Sequence, residues 1–256
     1  MSNWPADGLI LLAGMAIGAT SIGGVAVVPV LSGIGGVTLP QAIAASSLAF
    51  LPTGLLGWCV ACREAKVWHK SWPLHIAALI GALAGATAVH SLPPGAARIG
   101  LALLTAASGL YGLASASASA SVSAAAAAST APERPMPGQA ALFALGLGVG
   151  FASALSGTGG PVLLLPLLIL WRAPTVTAVA AAMAIQLPVA VAASAAHMLA
   201  GQLPVALGVQ TGVILLAGAW TGRLVMRRLP GRALRLGTSL CLIAVAGWYG
   251  LSHWSP

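Results

Sequence analysis

The sequence predicts an all-α polytopic membrane protein made of two homologous halves, and three observations predict it. Charge is nearly absent: of 256 residues, 59% are hydrophobic and 5% charged, with a mean hydropathy of +0.98. Several apolar runs reach the ~20 residues that cross a bilayer as a helix. A glycine-broken apolar segment opens each half, at corresponding positions, and three further apolar segments follow it.

In the first half, residues 9–31 are apolar but interrupted at Ser21-Ile22-Gly23-Gly24 and again at Pro29. A Gly-rich connection, 32–40, leads to a second segment, 41–61, containing Ser46, Ser47 and Pro52. The polar loop 62–72 holds Arg63, Glu64, Lys66, His69 and Lys70. A third segment, 73–89, is rich in small residues; a turn with Pro93-Pro94 precedes a fourth, 98–114. Residues 115–138 are low complexity, alternating Ser/Ala and then P-E-R-P-M-P-G, and read as a linker. The expected organisation is a first membrane repeat over 1–114, the linker over 115–138 and a second repeat over 139–256.

The second repeat opens on the stretch around which the chain is organised, Ser156 to Pro166, S-G-T-G-G-P-V-L-L-L-P, inside the apolar segment 140–171. Unpaired backbone groups in lipid cost several kcal/mol each, so such a break is expensive. Gly157, Gly159 and Gly160 make it, and Pro161 suits the first turn of a new helix because its missing N–H has no partner there in any case. A helix beginning inside the membrane directs free N–H groups and its positive dipole end at whatever binds there. Secondary transporters build anion sites this way; a packing kink between closely approaching helices is the other reading. The segment 176–199 follows, with Gln186, Pro188 and His197, then 204–222. A basic loop holds Arg223, Arg227, Arg228, Arg232 and Arg235, and a last segment ends near Leu251.

The halves can be matched residue by residue. Pro29 pairs with Pro166, Gly23 with Gly160 and Ser21 with Thr158 at a spacing of 137. Leu51-Pro52 pairs with Leu187-Pro188 at 136, and Gly85 with Gly222, Leu92-Pro93 with Leu229-Pro230 and Arg98 with Arg235 at 137 again. Broken segments at corresponding places of two halves point to a transport site.

The pattern G-x-G-G-x-x-x-x-x-P near the start of each half resembles the sulfite exporter TauE/SafE family of membrane transporters. The second half gives it as G-T-G-G-P-V-L-L-L-P, Gly157 to Pro166. The first half, T-S-I-G-G-V-A-V-V-P, keeps Gly23, Gly24 and Pro29 but has Thr20 and Ile22 where the pattern has glycine. The likeness extends over both halves and includes the Lys66-Val67-Trp68 step. It implies transport of sulfite, organosulfonates or related sulfur anions, often outward, across a bacterial-type cytoplasmic (inner) membrane.

Basic residues in short loops prefer the cytoplasm. If all eight apolar segments cross, the two faces receive 4 and 7 of the Lys and Arg residues. If each broken segment enters and leaves on one side, the halves become inverted repeats and the division is 10 against 1, with only Arg98 outside. Six full spans plus two re-entrant segments, with both termini outside, is therefore the expected arrangement, and eight spans the alternative.

Composition and motifs exclude several classes. The net charge of +8 sits mostly in loops, where orientation and lipid contact account for it, so nucleic acid is not an expected partner. The N-terminus lacks a basic n-region, so no cleaved signal peptide is expected. Three cysteines suggest no disulfide framework; Cys59 and Cys62, without a second pair, do not suggest zinc. No hydrolase or metalloprotease motif is present, and the three acids, Asp7, Glu64 and Glu133, lie outside the apolar segments, which argues against an intramembrane enzyme and against coupling through a central carboxylate.

The expected function is a secondary transporter of a small sulfur oxyanion, with a passive anion channel as the alternative; no cofactor is expected. The candidate substrate-binding residues are Ser21, Gly23 and Gly24 at the first break and Ser156, Gly157, Thr158, Gly159 and Gly160 at the second. Ser46, Ser47 and Gln186 assist as donors to the anion; the other reading is an interhelical hydrogen bond for Gln186 and bonds back to their own helix for Ser46 and Ser47. His197, His75 and His90, near segment ends, read as interfacial residues, with a proton relay as the alternative for His197. Expected partners are the anion, the lipid bilayer, a second copy in a homodimer, and a coupling ion, proton or sodium, that the sequence does not choose.

Overall fold

A computed structural model describes residues 4–20, 23–63, 68–91 and 135–226, with isolated helical positions between 95 and 110 and between 240 and 247. The described residues are helical throughout, joined by short turns, as the composition requires. The helices are α1 (Trp4–Thr20), α2 (Val27–Gly33, entered through a 3-10 turn Gly23–Ala26), α3 (Leu39–Arg63), α4 (Trp68–Ala88, extended by a 3-10 turn Val89–Ser91), α5 (Gln139–Ser156), α6 (Pro161–Leu170), α7 (Thr175–Leu199) and α8 (Val205–Met226). Five of them, α3, α4, α5, α7 and α8, are long and apolar enough to cross a bilayer. α1 is apolar but shorter, and α2 and α6 are much shorter still. With ten residues, α6 reaches about 15 Å, half of a ~30 Å hydrocarbon core.

The bundle turns apolar side chains outward. Ile80 (46% exposed), Leu83, Phe143, Leu147, Val209 and Val213 all face out. A soluble monomer does not display so much contiguous apolar surface; a helix wrapped by lipid does. Trp4, Trp72, Trp171 and Trp220 are likewise exposed, at or near helix ends, where interfacial anchors sit. The protein is an integral membrane protein.

Between helices, burial falls on small residues. Without a hydrophobic force between helices in lipid, close backbone approach supplies the packing energy, and glycine permits it. Gly14 and Gly18 of α1 face Gly218 and Gly222 of α8: a Cβ on Gly14 would stand 2.6 Å from the Leu215 carbonyl, and one on Gly222 would fall on the carbonyl of Met15. Gly81 and Gly85 of α4 make the same seam with Gly146 and Gly150 of α5, against the carbonyls of Leu147, Phe151, Leu74 and Ala78.

The contacts of the two halves correspond. α1 packs on α8 as α5 packs on α4; α3 packs on α8 as α7 packs on α4; α2 lies on α3 as α6 lies on α7, and α3 and α7 pack on each other. Helix directions follow from which residues meet. α1 runs parallel to α8, with Gly14 at Leu215 and Gly18 at Ala219, and α3 runs parallel to α8, with Ala45 at Gly208 and Ala49 at Gly212. α1 and α3 therefore begin at the same end of the bundle. α5 runs parallel to α4, with Gly146 at Leu74 and Gly150 at Ala78. α7 runs antiparallel to α3, with Gly54 at Leu187 and Gly57 at Met183. α5 and α7 therefore begin together at the opposite end.

Candidate functional site

The second break is built from three residues with positive φ. α5 ends at Ser156 because Gly157 adopts the left-handed conformation (φ 66°, ψ 29°) and caps it, its N–H reaching the Ser153 carbonyl. Gly159 (φ 83°) and Gly160 (φ 98°) then reverse the chain, in a region where side chains other than glycine are strained. Pro161 occupies the first turn of α6, as its sequence context predicts. The Gly160 carbonyl already receives the amides of Leu163 and Leu164. The amides of Gly159 and Gly160 donate to no group among the described residues.

The first break is different. Ser21 and Ile22 lie outside the described residues. Gly23 and Gly24 are in a 3-10 turn that runs directly into α2, and neither has positive φ. Among the described residues, the first break thus has none of the left-handed residues of the second. Pro29 falls in the first turn of α2, where its missing N–H costs little.

The two breaks meet, and α3 is the floor beneath them. Ser46 Oγ donates to the carbonyls of Ile43 (2.8 Å) and Gly157 (3.1 Å); Ser47 Oγ bonds back to Ile43 (2.9 Å). Val28 of α2 packs on Gly157. Phe50, 1% exposed, lays its ring against both: a Cβ on Gly24 would stand 3.1 Å from it and one on Gly159 3.2 Å.

The hydroxyls of the second break can be assigned by counting hydrogens. Ser156 Oγ spends its hydrogen on the Ala152 carbonyl at 2.7 Å, so it accepts from Thr158 Oγ1 at 3.0 Å. Both hydroxyls are then engaged. Ser153 is not. It is 1% exposed, its Oγ has no partner among the described residues, and it stands 3.8 Å from where a Gly160 Cβ would be. Sequence reading passed over Ser153; its one signal was its place three residues before Ser156, on the same helix face.

Beside the break lies a narrow cleft of about 30 Å³, lined among others by Gly18, Thr53, Pro161, Gln186, Trp220 and Arg223. Thr53 Oγ1 donates to the Phe50 carbonyl (3.1 Å), so it must accept from Gln186 Nε2 at 2.9 Å, which fixes the orientation of the amide. Gln186 thus makes an interhelical hydrogen bond and also borders the cleft. Arg223, counted in sequence among the loop arginines, lies within α8 and supplies a cation to that cleft.

The histidines near the segment ends differ in burial. His197 is fully buried and His75 is 5% exposed. Among the described residues, no group of three or more His, Cys, Asp or Glu side chains could hold a metal. Lys66, Val67 and most of the linker lie outside the described residues.

Comparison with known proteins bears on the whole of this arrangement. The family model described as "Sulfite exporter TauE/SafE" matches residues 4–249, both broken segments included. No curated protein and no solved structure matches the chain.

Proposed function

This chain belongs to the sulfite exporter TauE/SafE family, and from that premise we propose that it is a secondary transporter that binds a small sulfur oxyanion at the second glycine break and exports it. The carrying observation is the pairing, at one buried place, of the Gly159 and Gly160 amides and the Ser153 hydroxyl, none of which has a partner among the described residues. A buried donor left unpaired costs about 1–3 kcal/mol, and an oxyanion arriving there relieves it. Backbone donors at a helix start bind an anion without a permanent cation in lipid, so the anion can leave again. Ser46, Ser156, Thr158 and Gln186 hold the surrounding backbone and side chains in place, and Ser47 braces α3. The first break, with Gly23 and Gly24, forms the opposing wall.

Six crossing segments and two re-entrant ones fit this site. α1 and α3 begin at one end of the bundle and α5 and α7 at the other, so each broken segment leaves and returns on one side. That supports reading 1–114 and 139–256 as inverted repeats joined by a linker, and on this reading the loop-charge rule puts Arg223 on the cytoplasmic side. The cleft then opens inward, with Arg223 drawing anions toward Gln186 and the start of α6. The membrane is a bacterial-type cytoplasmic membrane, the protein is not an enzyme, and it needs no cofactor.

The test is a titration of purified protein with sulfite, sulfoacetate, taurine, sulfate and acetate. A sulfur oxyanion should bind, and Ser153→Ala should weaken it. Binding by none of the five would refute the proposal.

A further inference from the structure

Away from the glycine breaks, where α4 and α7 both end, two histidines from the two halves meet. His90 Nε2 lies 3.2 Å from His197 Nδ1, with the rings edge to face and centroids 5.2 Å apart. One of these nitrogens must donate and the other accept. His197 is fully buried, and its remaining nitrogen, Nε2, has no partner among the described residues. Ser194, three residues earlier on the same face of α7, is 6% exposed and its Oγ is also without a partner among the described residues. His90 is only half-buried, so the pair runs from the surface into the bundle.

Among the described residues, the helices packed around this pair hold no other charge close to it. α5 and α6 carry no titratable side chain, and His197 is the only one on α7. On α4, His69, Lys70 and His75 lie toward the opposite end; on α3, which runs antiparallel to α7, Cys59, Cys62 and Arg63 lie at the opposite end too. Arg98 is outside the described residues. Two imidazoles in contact, facing no other charge on these helices, form a site that holds one proton and not two. A single added proton is shared along the N–H···N bond, whereas a second would place two cations at contact distance in an apolar setting. The pair is also mechanically tied to the anion site. Val189 of α7 packs at Gly160, and His197 lies eight residues further along the same helix, about 12 Å away.

We propose that His90 and His197 bind the proton to which anion transport is coupled. The proton is taken from water at the end where α4 and α7 terminate and held on the pair as one imidazolium. It is returned to water on the other side in the cycle that moves one anion. The inference rests on the transporter reading above and adds the coupling ion and its site.

Proteoliposomes holding the full chain test it with labelled sulfite, in the alkaline range where little of it exists as the permeant acid. Two fluxes are compared: exchange of internal for external sulfite at equal pH, and accumulation driven by a pH gradient. The parent should show both, with a trapped pH dye reporting protons moving opposite to sulfite. His197→Gln and His90→Gln should keep exchange within about twofold while gradient-driven accumulation falls to the level of protein-free vesicles. Variants that still accumulate sulfite overturn the inference. So do variants that lose exchange as well while melting like the parent, because the pair would then serve the anion path. A parent that exchanges sulfite but ignores the pH gradient overturns the coupling alone; a parent that neither binds nor exchanges any of the five anions overturns the transporter reading beneath it.

Discussion

Gly24, in the turn between α1 and α2, lies against the carbonyl of Thr158, in the turn between α5 and α6: a Cβ on Gly24 would stand 3.0 Å from that oxygen. The two broken segments, 134 residues apart in the chain, therefore share one surface, and neither turn can shift without the other giving way.

Gly159→Val should abolish anion binding while the protein still inserts. The residue has φ 83° and a Cβ there would stand 3.2 Å from the Phe50 ring, so valine is penalised by backbone and by space. Isothermal titration with sulfite checks this. Parent-like affinity would make the break a packing kink and nothing more.

Ser153→Ala and Thr158→Val should separate ligand contact from local structure. Removing the Ser153 hydroxyl deletes an unpaired buried group, so the free protein should melt no lower than the parent. Anion binding should weaken by ~1.5–3 kcal/mol, about ten- to a hundredfold. Thr158→Val breaks the bond to Ser156 instead and should cost ~0.5–1.5 kcal/mol of stability, with the smaller effect on binding. Melting curves with and without sulfite read both.

Arg223→Gln should slow sulfite uptake into the inward cleft at low salt and lose most of that effect as salt rises, because a half-exposed cation steers ligands through a screened field. Initial rates at two ionic strengths measure it. Equal slowing at both would place Arg223 in the binding site and not at its entrance.

Gly81→Leu should disrupt the α4–α5 seam, since any Cβ there falls on the Leu147 carbonyl; overpacking of this kind costs about 1–3 kcal/mol. Gly148→Ala, on the same α5 helix but with nothing within 4 Å, should be neutral. Detergent melting temperatures of the pair decide the point.

Single cysteines at Ala200 and Ser252 should react with an impermeant thiol reagent from outside, and one at Gly231 should not; the last two lie outside the described residues. Labelling of Gly231 from outside with Ala200 protected would rule out the inverted arrangement.

The sequence by itself determined the membrane class, the helical elements and the second break. Each of these is local: charge scarcity and run length decide membrane insertion, and Gly157, Gly159, Gly160 and Pro161 dictate a turn and a helix start whatever surrounds them. It also gave the family, through the same glycines and proline. The tertiary structure decided which of the polar groups are free. Ser156 and Thr158 look like donors in sequence but spend their hydrogens on Ala152 and on Ser156, respectively, while Ser153, unremarked in sequence, is left without a partner among the described residues. Phe50 becomes the floor of the site only because α3 passes beneath both breaks. His90 and His197, 107 residues apart, become a pair only because α4 and α7 end together. A hydrogen bond depends on which helix faces lie within 3 Å of each other, and in lipid that is settled by small residues meeting across seams such as Gly81–Leu147, contacts between distant stretches that no local pattern encodes.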